Sequence, residues 1–259
     1  MTSQEIPWTS LKALSFDIYG TLIDWETGIA HSARATALGP FLPSSHKQLM
    51  LAIEHHDTTV QREHPTWPQT RIIAEGLRRY AKQLGVVERG DLTAEQVEAA
   101  CEQYGSKIGE YPAFVDSVQA MQRLGRRYRL VPLSNVDRAS FAQTLRGPLR
   151  GCPRFDAVYT AEEIGSYKPD LANFRYLLEH VRGDFGVEKG ELCHVAQSLF
   201  HDHGPAKEVG LLHSVWVDRG GEMGGDPEHA QERFGFKVKV QTLGELAEIV
   251  EKAWETAGK

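Results

Sequence analysis

Four groups of polar residues follow apolar segments, and their types suit attack on a substrate by a carboxylate. The groups are Asp17, then Ser134 with Asn135, then Lys168, and finally Ser198 with Asp202. A carboxylate such as Asp17 can form an ester with the substrate, which water then hydrolyses. The ammonium group of Lys168 would keep the carboxylate ionised and stabilise developing negative charge. These residues therefore indicate covalent catalysis on a small anionic substrate.

Short hydroxyl, phenol and amide side chains near these positions are candidates for binding the substrate. They are Tyr19, Thr21, Ser134, Asn135 and Ser198. Hydrogen bonds from such groups would hold an acid in line for attack. Asp202 has two candidate catalytic roles, which are to hold Lys168 or to activate the hydrolytic water. A third role for Asp202 is structural, as the N-cap of a helix near Pro205.

The elements that carry these residues alternate between strand and helix patterns. The predicted strands are 13–16, 129–133, 155–160, 192–196, 213–217 and 236–240. Helical patterns separate them, and this alternation is typical of an α/β fold, here Rossmann-like, with a parallel sheet and crossover helices. Ligands of such sheets bind at the carboxyl ends of the strands. The polar groups are therefore expected to meet at one edge of the sheet.

One long segment interrupts this alternation with helical patterns alone. The patterns comprise 27–38, a helix capped at Ser44–Ser45, a helix after Pro68, and a helix whose capping box is formed by Thr93 and Gln96. We therefore predict a Rossmann-like core of residues 1–23 and 113–259, with an inserted all-helical cap domain of residues 24–112. The cap would close over the strand ends and exclude water.

The amino-acid composition limits the binding partners and the cellular compartment that we expect. The chain has 259 residues, a net charge of -6 and no Lys/Arg-rich block, which argues against nucleic acid or an anionic membrane as partner. Three widely spaced cysteines form no CxxC pair, so we expect neither a disulfide framework nor a structural zinc site. No signal peptide or membrane span is visible, which favours a cytoplasmic protein. Residues 220–226 read as a flexible loop, and a homodimer is left open.

Taken together, the motifs resemble those of the haloacid dehalogenase superfamily. The run Asp17-Ile18-Tyr19-Gly20-Thr21 is similar to the nucleophile motif of that superfamily. Ser134, Lys168 and Asp202 fall at its three later motifs, in the same order. The resemblance implies an aspartate nucleophile at Asp17 and the Rossmann-like core already predicted from the alternation.

Two positions distinguish branches of the superfamily. Its magnesium-dependent phosphatases usually carry an Asp as general acid two residues after the nucleophile, where this chain has Tyr19. They typically carry a magnesium-ligating Asp where this chain has Gln197. A halide needs no proton to leave, so both differences favour the L-2-haloacid dehalogenase branch, without a cofactor. The alternative is a small-molecule phosphatase that binds Mg²⁺ through Asp17, the Tyr19 carbonyl and Asp202.

The chain also differs from the dehalogenase pattern, which leaves its natural substrate open. In the fourth motif, Gln197 and Leu199 stand where the dehalogenases have Ser and Asn, and Phe174 stands where they often have Tyr. Residues 54–56, the expected place of their halide-binding Arg, contain no Arg. Arg62 or Arg71 is a candidate replacement from a shifted position. A second alternative is therefore a non-catalytic binding protein on the same scaffold.

Overall fold

A computed structural model describes residues 6–221 and 228–258, and its core is a parallel six-stranded sheet. The strands are β1 (Ala13–Phe16), β2 (Arg129–Ser134), β3 (Tyr159–Thr160), β4 (Leu192–Ala196), β5 (His213–Val217) and β6 (Val238–Val240). Their order in the sheet is β3-β2-β1-β4-β5-β6, and each neighbouring pair is parallel. The predicted α/β fold is confirmed.

The strand that precedes Asp17 lies in the middle of this sheet. Leu14 of β1 pairs with Leu130 of β2 on one side and with Cys193 of β4 on the other. All four residues of β1 and all five of β4 are buried. Helices cover both faces of a parallel sheet, which explains why these strands are apolar throughout rather than alternating.

Eleven α-helices complete the described part of the chain. They are α1 (Trp25–Arg34), α2 (His46–Glu63), α3 (Gln69–Leu84), α4 (Ala94–Gly105), α5 (Ser117–Leu124), α6 (Arg138–Arg146), α7 (Ala161–Ile164), α8 (Leu171–Phe185), α9 (Gly204–Glu208), α10 (Ala230–Phe234) and α11 (Leu243–Thr256). The first four belong to the segment predicted to be helical. The capping box of α4 is present, with Gln96 Oε1 accepting from the backbone of Thr93 at 2.8 Å.

The two ends of the helical segment lie side by side. Asp24 N donates to Pro112 O at 2.8 Å, and Phe114 N donates to Leu22 O at 3.0 Å. An isolated antiparallel bridge between Ile23 and Ala113 joins the same two chain segments. This paired crossing supports a division of the chain at 23/24 and 112/113, which we retain as a proposal.

Some elements are shorter than the sequence predicts. The third strand contains only Tyr159 and Thr160, although Asp156 N still donates to Leu130 O at 2.9 Å. The Asp156 carboxylate in turn accepts from the Leu130 N–H at 3.0 Å, so a side-chain oxygen takes this N–H. The sixth strand begins at Val238 rather than at residue 236.

Three further expectations concern the whole chain. Cys101, Cys152 and Cys193 are free thiols. Within the described ranges, every helix is too short or too polar to cross a lipid bilayer. The predicted loop at 220–226 lies outside the described residues, apart from Gly220 and Gly221.

Candidate active site

Three parallel crossover units bring Asp17, Lys168 and Asp202 together at the carboxyl edge of the sheet. Asp17 directly follows β1, and its backbone N–H continues the ladder to Val195 O at 3.1 Å. Lys168 comes from the loop after α7, and Asp202 from a π-helical turn, Leu199–His203, after β4. The three side chains are 6%, 2% and 1% exposed, so their charges must be compensated within the protein.

The ammonium group of Lys168 uses all three of its N–H donors within the protein. Lys168 Nζ donates to Asp17 Oδ1 at 2.8 Å, to Asp202 Oδ1 at 2.7 Å and to Leu133 O at 2.9 Å. An ammonium has three donors and no acceptor. Lys168 Nζ therefore has no N–H left for a ligand, and its charge lies directly against Asp17.

The second oxygen of Asp17 is held by Thr21. Thr21 Oγ1 donates to Asp17 Oδ2 at 2.8 Å and accepts from Gln197 N at 2.9 Å. The Thr21 side chain is wholly buried and does not line the cavity above Asp17. The expectation that Thr21 contacts the substrate is therefore corrected, since its hydroxyl positions the Asp17 carboxylate instead.

Arg219 supports this turn from the other side. Its guanidinium donates through Nη2 to Thr21 O at 2.7 Å and pairs with Asp116 at 2.8 Å. Asp116 also accepts from the Leu243 N–H at 2.7 Å. Through Asp116, Arg219 therefore ties the Asp17 turn to the start of α11.

Burial and neighbouring charges have opposing effects on the pKa values of these three ionisable groups, and the balance differs from group to group. Burial raises the pKa of Asp17 and outweighs the opposing effect of Lys168. Burial also acts to raise the pKa of Asp202, but Lys168 and His194 outweigh it, so that pKa lies below its ordinary value. Burial acts to lower the pKa of Lys168, but the two carboxylates raise it overall. Of the two carboxyl groups, Asp17 therefore has the higher pKa.

A buried chain of polar side chains continues from Asp202 into the sheet. His194 Nε2 lies 2.9 Å from Asp202 Oδ1, and His194 Nδ1 lies 2.8 Å from Ser15 Oγ. Ser15 and His194 are each 0% exposed. Sequence reasoning missed both, although a histidine and a serine within otherwise apolar buried strands are the signal that could have found them. Together they fix the orientation of the Asp202 carboxylate.

Ser134 and Asn135 lie at the end of β2 and line the cavity. Asn135 Nδ2 donates to Lys168 O at 2.9 Å, and Asn135 Oδ1 accepts from Lys168 N at 2.7 Å. These two hydrogen bonds fix the position of the Lys168 backbone and leave Asn135 one N–H for a ligand. Ser134 Oγ is buried and has no partner among the described residues, so it is the hydroxyl best placed to bind substrate.

The phenol of Tyr19 is turned away from the nucleophile. Its oxygen lies 2.7 Å from Thr144 Oγ1, which itself donates to Ser140 O, so Tyr19 is the donor of the pair. Burial, ahead of nearby charges, raises the pKa of Tyr19 well above its ordinary value. Tyr19 therefore lines the cavity with its ring and keeps its proton.

The fourth motif forms a turn rather than a simple helix start. Ser198 Oγ accepts from His201 N at 3.0 Å and caps the π-helical turn, so its hydroxyl is already engaged although it lines the cavity. Asp202 lies inside this turn, which corrects the alternative in which it caps a helix. Its Oδ2 is buried and has no partner among the described residues.

A cavity of about 480 Å³ lies above Asp17, between the sheet edge and the segment 24–112. Its lining from that segment consists of Trp25, Ile29, Glu54, Asp57, Thr58, Gln61, Gln69, Ile72, Ile73, Ile108 and Tyr111. Neither Arg62 nor Arg71 lines it, which corrects the expected replacement for the missing Arg. Arg62 donates to Thr58 O, and Arg71 lies over the Trp67 ring. Arg233 of α10 lines the cavity, which sequence reasoning did not find.

The carboxylate oxygens at this edge of the sheet are largely engaged by Lys168 and Thr21. Mg²⁺ requires near-octahedral oxygen ligands. Lys168 already occupies one oxygen of each carboxylate, and Thr21 occupies the second oxygen of Asp17. Only Asp202 Oδ2 remains free, and the described residues contain no cluster of three or more His, Cys, Asp or Glu arranged to hold a metal. A Mg²⁺ ion bound by Asp17, the Tyr19 carbonyl and Asp202 would therefore have to share carboxylate oxygens with Lys168 and Thr21.

Comparison with known proteins agrees with this geometry. The chain is 27% identical over 213 residues to (S)-2-haloacid dehalogenase 1 of Pseudomonas sp. (strain CBS-3), covering 81% of this chain and 85% of that one. It is 24% identical to (S)-2-haloacid dehalogenase 4A of Burkholderia cepacia, covering 94% and 96%. A crystal structure of a dehalogenase with an intermediate complex superposes with a TM-score of 0.72 at 21% identity, covering 93% and 97%.

Comparison with a model of a whole protein family gives the same result. The profile of the haloacid dehalogenase-like hydrolases matches residues 11–200, which include β1 to β4, Asp17 and Lys168. Asp202 lies two residues beyond the end of the match. The chain therefore belongs to the haloacid dehalogenase-like hydrolase family.

Proposed function

We propose that this hydrolase cleaves the carbon–halogen bond of a small 2-haloalkanoic acid, with Asp17 as nucleophile. A carboxylate oxygen of Asp17 forms a bond to C2 as the carbon–halogen bond breaks, and the electron pair leaves with the halide. Water then attacks the carbonyl carbon of the aspartyl ester, which releases a 2-hydroxy acid and regenerates Asp17. No oxidant, reductant or cofactor is needed for either step.

The observation that carries this proposal is the orientation of Tyr19. When a nucleophile attacks the phosphorus of a phosphate monoester, the alcohol leaves as an alkoxide unless a general acid close to the nucleophile protonates it. The Tyr19 proton is directed to Thr144 Oγ1, and burial holds its pKa high. A halide leaves without a proton, so this arrangement suits carbon–halogen cleavage and does not suit phosphate release.

The substrate carboxylate is proposed to bind at the end of β2. Ser134 Oγ and the remaining N–H of Asn135 offer donors beside Asp17, and the lining cations Lys168 and Arg233 attract an anion. Asp202 would hold Lys168 in place, and its free Oδ2 is an acceptor for the hydrolytic water. The proposed cap, residues 24–112, would keep other water from the ester.

The names of the relatives support the substrate class. Both curated relatives are (S)-2-haloacid dehalogenases, and the superposed dehalogenase was crystallised with an intermediate complex. We infer the same class of small anionic substrate for this chain, in a reaction independent of added metal.

The test is halide release from (S)-2-chloropropionate, with and without EDTA, beside a panel of phosphate esters. We expect release that resists EDTA and disappears in Asp17→Asn, because an amide cannot form the ester. Magnesium-dependent release of phosphate would replace this proposal with the phosphatase alternative. Absence of any covalent adduct or product would favour a binding protein.

A further inference from the structure

A hydrogen bond joins the segment 24–112 to the loop that carries Lys168. Tyr167 Oη donates to Trp67 O at 2.6 Å, across 100 residues of sequence. Tyr167 directly precedes Lys168, and Trp67 lies in the connection between α2 and α3. The contact therefore links one wall of the cavity to the loop whose lysine pairs with Asp17.

This contact lies well away from the paired crossing at which the segment enters and leaves the core. His46, the first residue of α2, lies 3.5 Å from Glu26 at the start of α1, so α2 begins near the crossing. A helix rises about 1.5 Å per residue, so the 18 residues of α2 carry the chain about 27 Å before it reaches Trp67. The segment is thus attached to the core at two separate points.

The carbonyl group of Trp67 is held in place by the packing of its own ring. The ring stacks on His64 with 3.7 Å between centroids and 3° between planes, and the Arg71 guanidinium lies 3.6 Å from the ring centroid. Trp67 N also donates to His64 O at 3.1 Å. Because Trp67 immediately precedes Pro68, the N-cap of α3, its position determines where that helix starts.

The helix that begins there forms the cavity wall opposite the sheet edge. Gln69, Ile72 and Ile73 of α3 all line the cavity. Among the described residues, every ion pair of α3 and α4 joins partners within the segment 24–112. The hydrogen bond from Tyr167 is therefore a polar contact that ties α3 to the core from outside its own segment.

On the core side, the backbone next to Tyr167 is fixed. Asn135 Oδ1 accepts from Lys168 N at 2.7 Å, and Asn135 Nδ2 donates to Lys168 O at 2.9 Å. Burial, ahead of the charges of Asp137 and Glu162, raises the pKa of Tyr167, so the phenol keeps the proton that it donates. Movement of the α3 wall away from the sheet would therefore have to break this bond.

We propose that Tyr167 is a positioning residue that holds α3 over Asp17 through its hydrogen bond to Trp67. The inference rests on the proposed dehalogenase function for its kinetic consequences, whereas its effect on α3 is independent of the reaction. With the bond in place, Ile72 and Ile73 stay over the bound acid, which maintains the geometry of attack and keeps bulk water from the aspartyl ester. Without it, α3 would open more often.

Hydrogen–deuterium exchange tests the contact without turnover. In Tyr167→Phe, we expect the amides of residues 69–75 to exchange about fivefold faster, the scale of one lost hydrogen bond. Tyr128→Phe is the matched control, because the Tyr128 hydroxyl also donates to a backbone carbonyl, Trp8 O, but within the core. Unchanged exchange at 69–75 in Tyr167→Phe would overturn the inference.

Chloride release from (S)-2-chloropropionate then tests the positioning role. We expect kcat/KM to fall about fivefold or more in Tyr167→Phe and to stay within about twofold in Tyr128→Phe. Faster exchange at 69–75 with unchanged kinetics would overturn the role, because the hydrogen bond would then be merely structural.

A second variant tests whether the two partners act through one contact. Trp67→Leu removes the ring that supports the carbonyl, so it should lower kcat/KM in the same way as Tyr167→Phe. The double variant should lose little more than either single variant. Strictly additive losses would show that the two residues act separately and would overturn the inference.

Failure of the proposed function gives a different result. If the unaltered protein releases no halide, the dehalogenase function is rejected and the exchange measurement alone decides the role of Tyr167. Faster exchange at 69–75 in Tyr167→Phe but not in Tyr128→Phe would then retain the hold on α3, and equal exchange in both variants would reject it.

Discussion

Lys168 Nζ lies 2.8 Å from Asp17 Oδ1 in an ion pair whose side chains are 2% and 9% exposed. The same ammonium contacts Asp202 at 2.7 Å, so one cation compensates two buried carboxylates. Removing one partner of a buried pair leaves an uncompensated charge, which costs more than the pair contributes. Lys168 therefore affects both the fold and the reactivity of Asp17.

Replacement of this lysine should impair stability and activity together. We expect Lys168→Met to lower the free energy of unfolding by about 3–5 kcal/mol, because Asp17 and Asp202 then repel each other in a buried environment. Halide release should fall below detection. Urea denaturation and chloride release measure the two effects. Lys82→Met, at an exposed position of α3, is the matched control and should change neither. An active Lys168→Met would reject the assigned role.

Loss of the Tyr19 hydroxyl should leave the reaction largely intact. Because that hydroxyl donates to Thr144 and not to the substrate, Tyr19→Phe is expected to keep kcat within about threefold. The lost hydrogen bond should lower stability by about 1 kcal/mol. Steady-state chloride release and thermal unfolding are the measurements. A fall in kcat of two orders of magnitude or more, the scale of about 10²–10⁴ for general acid–base groups, would mean that the phenol takes part in chemistry.

The buried chain from Ser15 to Asp202 should behave as one unit. His194→Leu removes a partner from each of them and is expected to lower stability by about 1–3 kcal/mol. Adding Ser15→Ala should cost less than it does alone, because the serine has then already lost its partner. A double-mutant cycle in urea measures this coupling. Strictly additive losses would show that the two hydrogen bonds are independent.

A second buried histidine should make the fold sensitive to acid. Burial lowers the pKa of His203 to about 4 from its ordinary value of 6.5. Between these values the unfolded chain binds a proton that the folded chain does not, so stability falls as the pH is lowered from about 6.5 to 4. The contribution is about 3 kcal/mol across this window. His203→Gln should reduce the slope of unfolding free energy against pH, and an unchanged slope would contradict this origin.

Close packing at α1 gives a prediction for the cavity wall. Gly28→Ala would place a Cβ against the Tyr111 ring, where contacts of 2.3 and 2.6 Å leave no space. We expect a loss of about 1–3 kcal/mol from overpacking. Tyr111 should also shift within the cavity, which KM for (S)-2-chloropropionate would report. Gly183→Ala provides the control, because a Cβ there meets no heavy atom within 4 Å.

The sequence predicted the core because its signals are local. The strands β1, β4 and β5 have the predicted bounds, since each is a short apolar run between turn residues. The strand at 155–160 was predicted too long, because a side-chain bond from Asp156 to the Leu130 N–H is not visible in an apolar pattern. The π-helical turn before α9 has no sequence signature of its own.

The site was predictable in part for the same reason. Asp17, Lys168 and Asp202 could be placed because each follows a strand, and parallel strands bring their carboxyl ends together. The role of Thr21 depended on which direction its hydroxyl faces, which spacing alone does not determine. Asp57 and Tyr111 lie 54 residues apart in the sequence. Their meeting depends on how helices pack, and residue types do not encode that packing in any simple pattern.

The paired crossing at Ile23 and Ala113 has a consequence for how this architecture can change. The two ends of the segment 24–112 are adjacent, so the segment is connected to the sheet as a closed loop. The entropic cost of closing such a loop grows only slowly with its length. Insertions, deletions or wholesale exchange of the helices would leave the strand order and the three charged groups in place. We therefore propose that the segment can be exchanged as a unit while the sheet and its three charged groups are retained.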